Sequence, residues 1–182
     1  GRPIVEWDIK KGREYRIIDP QEIKDDAFVV SGGYAGSVKA FTSVQKMLEG
    51  WESRFELSEA LRIMESIGNR KVDYVVPFEM GGANTPVILS LAARAGIVTV
   101  DGDGLGRAAP ETQMSSFLGH GISLTPMPFV DLEGNVILVK HAVKPTYPDE
   151  LMRAAIVLNG GSGANTHYPM SGKQLKESVV PN

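Results

Sequence analysis

The segment Val100-Asp101-Gly102-Asp103-Gly104-Leu105-Gly106-Arg107-Ala108 puts two carboxylates, three glycines and a guanidinium within nine positions. It continues the apolar β-branched run Ile97-Val98-Thr99-Val100. Such a run ending in Asp-Gly-Asp-Gly reads as a buried strand that opens into a polar loop. Ligands of open α/β sheets collect at that end of the strands. A second loop, Glu79-Met80-Gly81-Gly82-Ala83-Asn84, follows another apolar run, Val72 to Phe78. Together the loops offer Glu79, Asn84, Asp101, Asp103 and Arg107. Neighbouring carboxylates can have their proton affinities pushed apart, so that one serves as acid and the other as base. The glycines Gly81, Gly82, Gly104 and Gly106 let backbone N–H groups approach a ligand closely. An anionic or carbonyl-bearing small molecule would fit such an edge.

The same residues have plainer readings. Asp101 and Asp103 can cap turns, as Asp often does. Gly81-Gly82 can serve close strand–helix packing, and Arg107 can pair with Asp103 or Glu111. Several other chemistries are excluded by spacing. Neither glycine-rich stretch has the dinucleotide fingerprint with its distal acid, and no Gly-Lys-Ser/Thr occurs, so no nucleotide cofactor is expected. Asp101-Gly102-Asp103-Gly104 lacks the third acid and the terminal Glu of a calcium loop. His120, His141 and His167 show no ligand-pair spacing and read as loop or surface residues. Glu79, Asp101 and Asp103 could still hold a divalent ion. Ser162 lacks a nucleophile elbow and reads as part of a turn.

These loops need elements to hold them. Strand 72–78, a helix over Val87–Ala95 that begins near Asn84, Thr85 and Pro86 and stops at Gly96, and strand 97–100 make a βαβ unit. Its strands should be parallel and joined right-handedly, so that both loops open on one sheet edge and face each other. The helix after Asn84 then points its positive end into the same space. Earlier, residues 13–18 alternate weakly like an edge strand, and Asp19-Pro20 with Asp25-Asp26 frame a short helix or turn. Residues 27–30 form a short strand ended by Ser31-Gly32-Gly33, and Phe55–Ile67 is an amphipathic helix stopped by Gly68-Asn69. Downstream, Pro110–Phe117 reads as a short helix, and 122–130 with 135–139 as an antiparallel hairpin. Thr146 and Asp149 have capping spacing before a helix over 150–158, which Gly160 to Gly163 closes. Ser171 and Gln174 have capping-box spacing before a last short helix. The fold class is therefore α/β, a mostly parallel or mixed sheet flanked by helices with a β-hairpin, over residues 1–182 as a single domain.

With 182 residues, 42% hydrophobic and 23% charged, the chain can bury a substantial core. The net charge of −3 comes from interspersed acids and bases, so no basic stripe exists for nucleic acid. There is no cysteine, hence no disulfide, thiolate nucleophile or cysteine-held metal, which fits a reducing cytoplasm. No stretch has the uninterrupted apolar length of a membrane span, and no signal peptide is visible.

Taken together, Glu79-Met80-Gly81-Gly82-Ala83-Asn84, Asp101-Gly102-Asp103-Gly104-Leu105-Gly106-Arg107-Ala108 and Pro110-Glu111-Thr112-Gln113-Met114 resemble the motifs of the S-methyl thiohydantoin desulfurase family. Ala109 departs from that pattern, which usually has a larger residue there. The resemblance covers most of the chain and implies an α/β N-terminal domain followed by a β-rich domain absent here. The chain thus reads as part of a longer member, incomplete at both ends. The implied chemistry is attack of water on a cyclic thioimidate or ureide carbon, releasing a thiol or opening a ring. The resemblance places Glu79 or Asp101 as base, Asp103 beside them, Arg107 as anion stabiliser and Asn84 as a substrate-amide partner. Gly81, Gly82, Gly104, Gly106, Glu111, Gln113 and Met114 complete its substrate-binding set. The small-molecule substrate would be the main partner. Association with a hydantoinase-like protein, beside whose gene the family is often encoded, and a homo-oligomer are further expectations. A ligand-binding module working beside such a partner is the alternative to an enzyme.

Overall fold

The computed structural model describes residues 1–37, 40 and 43–181. Chain order runs α1 (Arg2–Lys10), β1 (Ile17–Ile18), a short 3-10 turn at Pro20–Glu22, β2 (Phe28–Gly36), α2 (Val44–Ser53) and α3 (Glu56–Gly68). Then come β3 (Tyr74–Pro77), α4 (Asn84–Ala95), β4 (Val98–Val100), β5 (Gly102–Asp103) and α5 (Ser116–Gly119). The hairpin strands β6 (Met127–Asp131) and β7 (Val136–Val139) precede α6 (Tyr147–Leu158), β8 (Ser162–Ser171), α7 (Gly172–Ser178) and β9 (Val180–Pro181).

A 7-stranded sheet has the order β1-β4-β3-β2-β8-β6-β7, and β5 pairs with β9 in a separate ribbon. The first four strands are parallel, including the expected β3–β4 pair. From β2 onward, β8, β6 and β7 are antiparallel. Alternate side chains of each strand feed two cores. Val30 and Val75 pack with α1–α4 through Leu48, Leu57, Leu61, Ile88 and Leu91. Val29, Val76 and Val100 pack on the other face against Phe117, Met152, Ile156, Tyr168 and Leu175. The result is a three-layer α/β/α arrangement. No helix among the described residues is long and apolar enough to cross a membrane.

Local signals explain many boundaries. Asn69 (φ 48°) and Gly96 (φ 72°) end α3 and α4 in the left-handed conformation that closes helices. Ser171 and Gln174 form the expected capping box on α7. Within the stretch 13–18 expected as an edge strand, Ile17–Ile18 form β1 at one edge of the sheet. The segment before it is a helix, α1, whose Asp8 accepts from Arg13 at 3.0 Å and from Tyr15 at 2.8 Å. Trp7, Arg13 and Arg94 all donate to Glu52, tying α1, α2 and α4 together. The Arg13 bond, aided by Trp7 and Arg94 against the cost of burial, holds the Glu52 carboxyl down to about 2. Other expectations need correction. The short helix expected at 110–117 lies at Ser116–Gly119, because Ser115 supplies its cap. Thr146, at the start of α6, makes no side-chain cap, and the Asp149 carboxylate turns to Thr112.

The largest difference concerns β2 and β8. The glycines after Val30 continue the strand as far as Gly36, paired throughout with β8. A Cβ at Gly32 would lie 2.6 Å from the Asn165 carbonyl oxygen, so the bare backbone is what lets β8 sit there. Ser162 begins β8 rather than a turn, and that strand lies between β2 and β6 at the centre of the sheet. Its sequence, Ser-Gly-Ala-Asn-Thr-His-Tyr-Pro-Met-Ser, has no apolar alternation. Two of its polar side chains find distant partners: Thr166 donates to the Ala60 carbonyl at 3.0 Å and Ser162 to that of Ala35 at 2.9 Å. The register slips between Val29 and Ser31, so Tyr168 (φ 50°) and Pro169 fall in a bulge that accommodates the proline.

Candidate active site

A cavity of about 890 Å³ opens beyond the carboxyl ends of β2 and β3, between the two helical layers. Its polar side chains include Glu79, Asn84, Glu111, Thr112, Asp149, Arg153, Asn165 and His167. Helices α2 and α6 supply apolar side chains on opposite sides, Met47 and Trp51 facing the site from one and Met152 and Ile156 from the other. The carboxyl edge of parallel strands is where such folds receive ligands.

Glu79 stands two residues beyond β3. Its Oε1 accepts from Asn84 Nδ2 at 2.6 Å, and its Oε2 accepts from the Ala109 backbone N–H. Each oxygen retains a free lone pair. Asn84, in the first turn of α4, also clamps the backbone of Tyr34: its Oδ1 accepts from Tyr34 N at 2.8 Å, and its Nδ2 donates to Tyr34 O at 3.0 Å. Gly33 permits this, because a Cβ there would meet Asn84 Oδ1 at 3.0 Å. The Tyr34 hydroxyl donates to buried Glu56 at 2.5 Å. Burial, with the Glu56 charge, pushes that phenol well above its ordinary value, so it stays protonated.

The loop 109–112 is fastened across this side of the cavity. Thr112 donates its backbone N–H (3.0 Å) and its hydroxyl to Asp149 Oδ1, and Arg153 Nε donates to Asp149 Oδ2 at 2.5 Å. Arg153 also reaches the Pro110 carbonyl at 2.6 Å, and Tyr168 donates to the Thr112 carbonyl at 2.9 Å. Burial raises the Asp149 carboxyl, but the bonds from Thr112 and Arg153 outweigh it and hold the group below the usual carboxylate range. His167, only 1% exposed, is pressed edge-on between Phe78 and Tyr168. Burial drives its imidazole down to about 3, and its Nδ1 has no hydrogen-bond partner. The ring in the cavity wall is therefore neutral.

The two expected loops do meet, through Gly104 N–H donating to Phe78 O at 3.0 Å and through Ala109 N–H on Glu79. The charged side chains around Asp101 do not join them. Asp103 is fully buried with Oδ1 accepting from Leu105 N and Gly106 N, so it caps its own turn. Asp101 is exposed and borders a separate hollow with Asp19, Gln21 and Lys176. Arg107 is exposed and bonds the Ala108 carbonyl. Of the residues in the wider set, Glu111 lines the cavity, while Gly81, Gly82, Gly104, Gly106, Gln113 and Met114 are not among its lining residues. Gly81 N–H is taken by Thr85 Oγ1, Gly104 is knitted to Phe78 and Ser116, and Gln113 Nε2 bonds Glu111. As an ion-binding set Glu79, Asp101 and Asp103 do not converge. Among the described residues no group of three or more His, Asp or Glu could hold a metal ion.

Asp149, Arg153 and Asn165 escaped sequence reading as site residues, and His167, expected on a loop or surface, is buried in β8. Asp149 had the spacing of a helix cap. Asn165 and His167 had a faint signal, since a period of two places them on one face of any strand through 162–171.

An α/β/α domain with a ligand-sized cavity at the carboxyl edge of its parallel strands is the class defined by this geometry. A family model described as S-Me-THD-like, N-terminal domain, matches residues 3–141, and the chain belongs to that family. The crystal structure of a protein from Chromobacterium violaceum is similar, with a TM-score of 0.76 and 26% identity, over 92% of this chain and 46% of that one. The chain therefore spans less than half the length of that relative. No curated protein matches it.

Proposed function

We propose that this chain supplies the substrate pocket of a hydrolase acting on hydantoin-like cyclic small molecules of the S-methyl thiohydantoin type. The observation that carries the reading is the Glu79 carboxylate, fixed at the cavity wall by Asn84 and the Ala109 N–H with lone pairs to spare. In this scheme Glu79 takes a proton from water as the oxygen adds to the thioimidate carbon. The proton held by Glu79 passes to the ring nitrogen, the carbon–sulfur bond breaks, the thiol leaves with the remaining hydroxyl proton, and the ring carbon keeps the new oxygen as a carbonyl. Asn84 orients the base, so it is a positioning residue. Membership of the family supports the substrate class, and the location of the cavity favours Glu79 over Asp101 as the base.

The test is thiol release from S-methyl thiohydantoin by the protein and by its Glu79→Gln variant. Release by the parent and its loss in the variant are expected. Equal rates in both would remove Glu79 from the role. A ligand-binding module is the second reading, favoured by the chain's spanning less than half of the Chromobacterium protein. Binding without release, persisting when the full-length protein is used, would establish it.

A further inference from the structure

The cavity is far larger than a bare five-membered ring, and its lining combines two chemistries. Glu79, Asn84, Thr112, Asp149, Asn165 and His167 supply polar groups, while Met47 and Trp51 of α2 and Met152 and Ile156 of α6 supply apolar surface, Met152 Sδ lying 2.8 Å from Asn165 Nδ2. Val44 and Val157, 46% and 85% exposed, add to the apolar lining. Scattered surface valines need no explanation, but two on facing helices that line one cavity form a continuous apolar approach.

The charges add a second constraint. Glu79, Glu111 and Asp149 line the cavity with one guanidinium, Arg153, whose Nε is committed to Asp149 and whose Nη2 is committed to the Pro110 carbonyl. His167 contributes no charge because its ring is neutral. Among the described residues Arg153 is the one lining side chain with a positive charge, and three carboxylates line the cavity against it, so a carboxylate brought here would meet like charges in a partly desolvated space. Arg107, the anion stabiliser that the family resemblance implied, lies outside the cavity.

We infer that the substrate is an uncharged ring bearing an apolar substituent, aryl or branched alkyl, which lies between α2 and α6 while the ring lies against Glu79 and Asn84. This rests on reading the cavity as the substrate site and adds the class of substituent it selects. Burying a group of phenyl size against such a wall strengthens binding about tenfold or more.

Calorimetric titration of the protein with hydantoin, 5-benzylhydantoin and 5-(2-carboxyethyl)hydantoin tests it. The benzyl compound is expected to bind about tenfold or more tightly than hydantoin, and the carboxyethyl compound more weakly than hydantoin. Met47→Asp and Val157→Asp, each checked for an unchanged melting temperature, should pull the benzyl-to-parent ratio toward one. If the carboxyethyl compound matches the benzyl, or neither substitution moves the ratio, the inference is wrong while the ring site stands. Failure of all three rings to bind would overturn both the inference and the site beneath it.

Discussion

Asn84 holds Glu79 and Tyr34 at once, its amide spanning a carboxylate oxygen at 2.6 Å and both backbone polar groups of β2's Tyr34. One side chain at the start of α4 thereby locks the proposed base to β2, the central strand of the sheet.

Removing that side chain should cost both stability and rate. Asn84→Ala strands the Tyr34 N–H and carbonyl, a loss of about 2–3 kcal/mol in denaturant unfolding. Glu79→Gln keeps the shape and a hydrogen-bond acceptor but cannot take a proton, so turnover should fall about a hundredfold or more with little change in melting temperature. A Glu79→Gln protein that unfolds early instead would mark Glu79 as structural.

The two aspartates of the Asp-Gly-Asp-Gly loop should part company. Asp103→Ala leaves two backbone N–H groups of its turn without their buried acceptor and should destabilise the fold by about 3 kcal/mol. Asp101→Asn alters an exposed group away from the cavity and should keep stability and turnover within about twofold. Paired melting curves and rate measurements check both, and loss of turnover in a well-folded Asp101→Asn would return that residue to the site.

His167 makes stability depend on pH. Its imidazole titrates at about 3 in the folded protein but near 6.5 when unfolded, so across that interval only the unfolded chain binds the proton. Stability should therefore fall on acidification from about pH 6.5 toward 3, by at most about 1.4 kcal/mol per pH unit. His167→Gln should flatten this slope, measured by urea unfolding at successive pH values. A slope unchanged by the substitution would show that the ring is not held neutral.

Asp149 acts in a more acidic window. Its folded carboxyl lies below its unfolded value, so its stabilisation is complete above the ordinary carboxylate range and lost as pH drops through the folded value. Asp149→Asn should make unfolding less sensitive to pH below about 4 while lowering stability at neutral pH. Thr112→Val removes the hydroxyl bond alone and should show a smaller effect of the same sign. Acid titrations of both variants, followed by fluorescence of the tryptophans, measure it.

Local chemistry made part of this protein legible in its sequence. The β3–α4–β4 unit announces itself through apolar β-branched runs, Pro86 at the helix start and Gly96 at its end, because these act over a few neighbouring residues. Ser171 and Gln174 likewise specify the start of α7, and Glu79 with Asn84 emerges from the same local frame. Helix α1 and strand β8 carry no such signal. The first is held by Glu52, far along the chain, with Arg13 and Tyr15 closing on Asp8 from the segment just after the helix, and the second by distant partners such as Ala35, Ala60 and Thr112. The Asp-Gly-Asp-Gly-Leu-Gly-Arg loop shows the same division. Its residue types and spacing mark a sheet edge and a family, but the direction of each carboxylate depends on what packs around it. Burial turned Asp103 inward onto its own turn and left Asp101 on the surface, whereas Asp149, Asn165 and His167 reach the cavity because α6 and β8 fold back beside β2.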